Sequence, residues 1–165
     1  MASLLRIIRK NRWYIEEARP YLQSGDIPAD PLADLRTEKN SLSVWLIEDD
    51  KSNLEQVIAA FAATRQSLDH VDFALFDVTI PSEIHIKCEK SAGDTPDDRA
   101  NESWHFNLRE LSGLGLVALA KAILEKGQKE RILEADVREL IKTAISKGQL
   151  DAVRMKPDLM KKVSG

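Results

Sequence analysis

The sequence predicts an α+β fold: a small mixed or antiparallel sheet of about four strands, one helix after the second strand, and a C-terminal antiparallel helix pair on one face. Three observations carry this. Residues 41–47 and 71–78 are short runs apolar on both faces, as strands in the middle of a sheet are. Residues 54–61 place Leu54, Val57, Ile58 and Phe61 at helical spacing. Beyond residue 110, two long stretches ending in Gly127 and Gly148 keep the helical period.

Taken in order, residues 1–30 form an N-terminal arm and turn-rich connection, and residues 31–165 a single α+β domain. Within 4–14 neither period wins; a short helix packing Leu4, Leu5 and Ile8 is the preferred reading. Gly25, Pro28 and Pro31 then end any helix. "LADLR" and "SLSVWLIE" flank "TEKN" as a hairpin whose second strand becomes central. Ser52 with Glu55 is a capping-box pattern opening the helix that follows, and Ala59, Ala60, Ala62 and Ala63 let it approach a sheet closely. "VDFALFDV" is a buried strand. "EIHIKCE" alternates more openly as the next one, with Ile84, Ile86 and Cys88 facing inward. Residues 91–103, "SAGDTPDDRANES", have no apolar period and read as a solvated loop. Residues 109–127 and 130–148 are helices. The short gap between them makes them an antiparallel pair, and Pro157 opens a last short helix.

Composition narrows the function classes. Apolar residues at 43% and charged residues at 31% fit a globular chain, and no apolar run reaches the length of a membrane span. The single cysteine excludes an internal disulfide and fits a reducing, cytoplasmic setting. Net charge is −3 but unevenly placed. Residues 1–14 carry four basic and no acidic groups, and residues 121–165 carry eleven basic and seven acidic; the middle has nine against twenty. Such a layout steers an acidic partner to the ends and a basic one to the middle.

Three fragments resemble response-regulator receiver domains: "WLIEDD", "FALFDVTIP" and "RMKP". The resemblance implies that Asp49 and Asp50 hold magnesium, that Asp77 accepts a phosphoryl group and that Lys156 pairs with it. The spacing departs from that family. Only 26 residues separate Asp50 from Asp77, room for one helix and its turns where the family has a helix, a strand and a second helix. A carboxylate cluster after a strand is also what a helix start attracts, and that is the reading adopted for Glu48-Asp49-Asp50. His70, His85 and His105 are too scattered to suggest a metal site, and no phosphate loop, dinucleotide fingerprint or nucleophile elbow is present.

These observations favour a small cytosolic, prokaryotic, non-catalytic protein that binds a partner, of the regulatory, antitoxin, immunity or accessory type, with no cofactor. Its binding residues would be Arg6, Arg9, Lys10, Arg12, Trp13 and Tyr14 in the arm. A protein partner is expected; nucleic acid is open through the basic ends, as is a homo-oligomer. The alternative is an acidic-site enzyme or phosphorylation switch using Mg at Asp49, Asp50 and Asp77.

Overall fold

The computed structural model describes residues 1–14 and 19–165. The class is α+β, built on a six-stranded antiparallel sheet rather than one of about four strands. In chain order the elements are β1 Ser3–Ile7, β2 Leu42–Ile47, α1 Leu54–Ala62, β3 Val71–Asp77, α2 Ile80–Glu83, β4 Lys87–Lys90, α3 Asp98–Ser103, β5 His105–Arg109, α4 Gly113–Lys126, β6 Gln128–Ile132, α5 Glu134–Ser146 and α6 Pro157–Ser164. The strands stand in the order β4-β5-β2-β1-β3-β6, and every neighbouring pair is antiparallel.

The first residues are a strand, not the expected helix. β1 lies in the interior of the sheet, with Leu5 opposite Trp45 of β2 on one side and Leu75 of β3 on the other. Strand alternation sends Leu4 and Leu5 to opposite faces, and both are buried. Leu5 joins Trp45, Ile47, Phe73 and Leu75 under α1, α5 and α6. Leu4 joins Val44, Ala74, Phe76 and Leu108 under α4 and the 3-10 turn Asp30–Asp34. The molecule is thus three layers, with one core on each face of the sheet.

Several other expectations are corrected. "LADLR" is not a strand but that 3-10 turn, although the tight turn after it exists: Lys39 and Asn40 take positive φ while Glu38 and Ser41 exchange backbone bonds. α4 and α5 are not a pair on one face. β6 lies between them, and they cover opposite faces of the sheet. Gly127 permits the abrupt change, because a Cβ there would sit 2.6 Å from the Ile123 carbonyl oxygen. Cys88 is exposed on the edge strand β4 rather than buried. Its burial reading assumed a strand from Glu83, whereas Ile80–Glu83 is a helical turn that shifts which residues face inward.

The 91–103 segment is also no solvated loop. Thr95, Asp97 and Asn101 are buried there, with Asn101 Oδ1 accepting from the Thr95 amide and hydroxyl. Asp97 Oδ1 caps α3 at the Ala100 amide, and Oδ2 accepts from Gln56 of α1. These bonds satisfy polar groups that would otherwise be costly to bury. α1, the continuous apolar run of β3 and α6 from Pro157 form as predicted.

Because Leu5 is fully buried in a strand shared by both halves of the sheet, Leu5→Ala is expected to cost about 2–5 kcal/mol. Urea unfolding reads this directly. A loss no larger than that of an exposed substitution such as Leu114→Ala would contradict the assignment.

Candidate functional site at the basic end of the sheet

The strands give the molecule two chemically different ends. At one, β2 and β3 finish and β1 begins. Glu48, Asp49 and Asp50 lie just beyond β2, and Asp77 closes β3. Since Ser3 of β1 pairs with both Ile47 and Asp77, the ends of β2 and β3 are two strand spacings apart, about 10 Å. The carboxylates there are occupied locally. Asp50 Oδ1 accepts from the Ser52 amide and Asp77 Oδ1 from the Thr79 amide, and these bonds, named first among the causes, hold both carboxyls below their usual pKa. Asp49 faces the amino group of Met1 at 3.7 Å. Among the described residues no three acidic, histidine or cysteine side chains gather as a metal would require.

The Glu48-Asp49-Asp50 cluster does precede a helix, but the predicted capping box is not made. Ser52 Oγ donates instead to Glu48 Oε2, and α1 begins after Asn53 without a side-chain cap. Asn53 is spent on the turn itself, accepting from the Glu48 amide and donating to the Leu46 carbonyl.

At the other end β1 and β6 finish, β3 begins and α1 terminates. An open cleft of about 500 Å³ lies there, lined by Ile8, Arg9, Asn11, Arg65, Asp69, His70, Asp72 and Arg131. Asp72 is its anchor, with a side chain only 4% exposed. Arg131 Nε and Nη2 donate to its two oxygens at 2.6 and 2.9 Å, and the Lys10 amide adds a third bond at 2.8 Å. Burial alone would raise this carboxyl's pKa. The Arg131 and Lys10 bonds and the neighbouring charges of Arg131 and His70 outweigh it and hold the group below its usual value. Arg65, whose pKa burial lowers against the pull of Asp69 and Asp72, donates to the His70 carbonyl at 2.8 Å.

The residues expected in a binding arm divide. Arg6 is part-buried, donating to the backbone carbonyls of Ser43 and Asp34. Arg12 and Trp13 are tied to Asp34, at 2.7 Å from Nη1 and 2.8 Å from the indole Nε1. Trp13 is 2% exposed and belongs to the core, so its ring is not presented to a partner. Lys10 lies over the Tyr14 ring, 5.8 Å from its centroid, and Tyr14 is exposed. Arg9 is exposed and lines the cleft; among the described residues only its backbone amide is engaged, by Asp34. Arg65 and Asp72 lie in and just after the short connection from α1 to β3 and Arg131 comes from the distant β6, and nothing local marks them in sequence.

No family model, curated protein or solved structure matches the chain. The site therefore rests on its own geometry.

Asp72 supplies a pH test. A carboxyl whose folded pKa is depressed contributes stability that is present above its unfolded pKa and is lost as pH falls through the folded value. Asp72→Asn is expected to lower stability by about 1–3 kcal/mol at pH 7, with the gap to the unsubstituted protein closing below about pH 4. Urea titrations across pH check this; a gap unchanged at pH 3 would mean that the charge is not what matters.

Proposed function

We propose that the protein acts by binding, as a regulatory or accessory component of the antitoxin or immunity type in a prokaryotic cytosol, and that its partner is a protein presenting an acidic segment to the Arg9, Arg65 and Arg131 cleft. The observation that carries this reading is the convergence of three arginines, Arg9 just after β1, Arg65 just after α1 and Arg131 within β6, around one open concavity. Arginine suits such a role because its planar fork matches a carboxylate. Cations on one face also raise the rate at which an acidic partner arrives. The charge layout supports the same view, since Arg9 and Arg131, one from each basic end of the chain, line the same cleft.

A protein partner is preferred to nucleic acid because the arm's Trp13 is committed to the core and Asp69 and Asp72 interrupt the positive surface. Stacking of bases needs aromatic faces that are open.

Arg9→Glu tests the proposal with little risk to the fold, because the Arg9 side chain is exposed. A partner recovered by affinity capture and measured in purified form is expected to bind this variant at least about tenfold more weakly and to lose part of its salt dependence. Binding that survives Arg9→Glu but fails on Asp49→Lys or Asp77→Lys would place the interface at the acidic end and overturn the proposal.

A further inference from the structure

A second cleft, independent of the partner face, opens where two strands part. The β1–β2 ladder stops at Leu5 and Trp45, although β1 continues beside β3 to Ile7 and β2 beside β5 from Leu42. The Arg6 guanidinium takes the place of the missing ladder, Nη1 donating to the Ser43 carbonyl and Nη2 to the Asp34 carbonyl, both at 2.9 Å. On the α1 side of this parting lies a cleft of about 450 Å³, walled by Ile7, Trp45 and Phe61 and bearing Arg6, Asp94 and His105. That size, and an apolar wall with a few polar groups, are what small-molecule sites share.

Its polar groups are unusually well defined. Among the described residues Arg6 has only carbonyl oxygens as hydrogen-bond partners, and its buried Nε has none. Burial pushes its pKa down to about 10, with the charge of Asp34 offsetting this only in part. The Asp34 carboxylate itself is bonded to Arg12 and Trp13, so among the described residues this part-buried cation has a nearby counter-charge but no direct ion pair to repay its desolvation. His105 is buried, and its Nδ1 lies 3.0 Å from the Ser91 carbonyl oxygen, which accepts only, so Nδ1 carries the proton. Burial lowers the ring's pKa against the effect of that bond, and in the neutral ring with Nδ1 protonated the acceptor is Nε2. The ring is held edge-on to Trp45, 4.7 Å between centroids. Gly93 seats the Asp94 loop against this pair; a Cβ there would lie 3.0 Å from the Trp45 ring and 2.8 Å from Asn101 Oδ1.

The geometry points to a binding site for a small ring-bearing anion, its carboxylate or phosphate at Arg6, its ring against Ile7, Trp45 and Phe61, and a ring N–H donor toward His105. The anion gives Arg6 a direct ion pair, which no described residue supplies, and the donor meets the acceptor at His105 Nε2. A cation of the same size meets a like charge at Arg6, and Asp94 is exposed to solvent, where an ion pair gains little.

Amide-shift titrations by NMR, following Ile7, Ser43 and the Trp45 indole, test this with pyrrole-2-carboxylate, benzoate, phenyl phosphate and benzylamine up to about 20 mM, the range suited to fragments this small. Saturable shifts are expected with the anions and not with benzylamine, and pyrrole-2-carboxylate should bind more tightly than benzoate, which has no ring donor. Whichever of benzoate and phenyl phosphate binds more tightly identifies the acid group the site prefers. His105→Phe should abolish the advantage of pyrrole-2-carboxylate while keeping benzoate bound, and Arg6→Gln should weaken all the anions about tenfold or more. Should Arg6→Gln not fold, Thr64→Phe, which fills the cleft from its rim, should remove binding with Arg6 intact. No saturable shift with any anion, equal binding of benzylamine, or binding undiminished by Thr64→Phe would overturn the assignment.

Discussion

Leu4 and Leu5 enter two different cores from adjacent positions of one strand, and the rest of the molecule depends on that strand. β1 is hydrogen-bonded on both sides, to β2 and to β3. Removing it would leave two separate sheets, β4-β5-β2 and β3-β6, each with an open interior edge. The helices depend on it as well. α1, α5 and α6 pack where Leu5 contributes, and α4 packs where Leu4 does. Residues at the very start of the chain therefore close a fold whose other parts are made later, so the structure depends on contacts between residues far apart in sequence.

The same arrangement sorts charge. In this fully antiparallel sheet β2 and β3 run one way and β1 and β6 the other. Acidic residues follow the first two strands and arginines follow or end the second two, so the molecule is polarised along its strands. Asp34 and Asp72 then convert part of the basic end into structure. Asp34 fixes Arg12 and Trp13, and Asp72 fixes Arg131 and the Lys10 turn. The outer strands are short and charged, "KCEK" and "QKERI", which discourages edge-to-edge pairing with other chains.

What the sequence reveals follows from which signals are local. β3 has a continuous apolar run, α1 an apolar stripe, and α6 a proline at its first turn, and all three are found where the pattern puts them. β1 is obscured because it contains Arg6, and an arginine part-buried where two strands part does not look like strand chemistry. β6 is obscured because an edge strand needs no apolar face, and its Lys129, Glu130 and Arg131 read as a linker between helices. The site residues are harder still. Arg9 was legible as part of a basic segment, but Trp13 beside it is a core residue because Asp34, 21 positions away, supplies an acceptor for its indole. Asp72 and Arg131 meet only through the register of β3 with β6. His105 is isolated in sequence, and the Ser91 carbonyl and the Trp45 ring that define it come from other elements.

Native-state hydrogen exchange measured residue by residue tests the central claim most directly, namely that β1 is an interior strand and not an arm. Backbone amides that open only with global unfolding exchange last. The account predicts that protected amides within residues 4–7 exchange as slowly as those of β3, and far more slowly than those of the 19–29 connection. Exchange of residues 4–7 with the connection, well ahead of β3, would show that the segment detaches while the sheet stays folded, and would contradict the account.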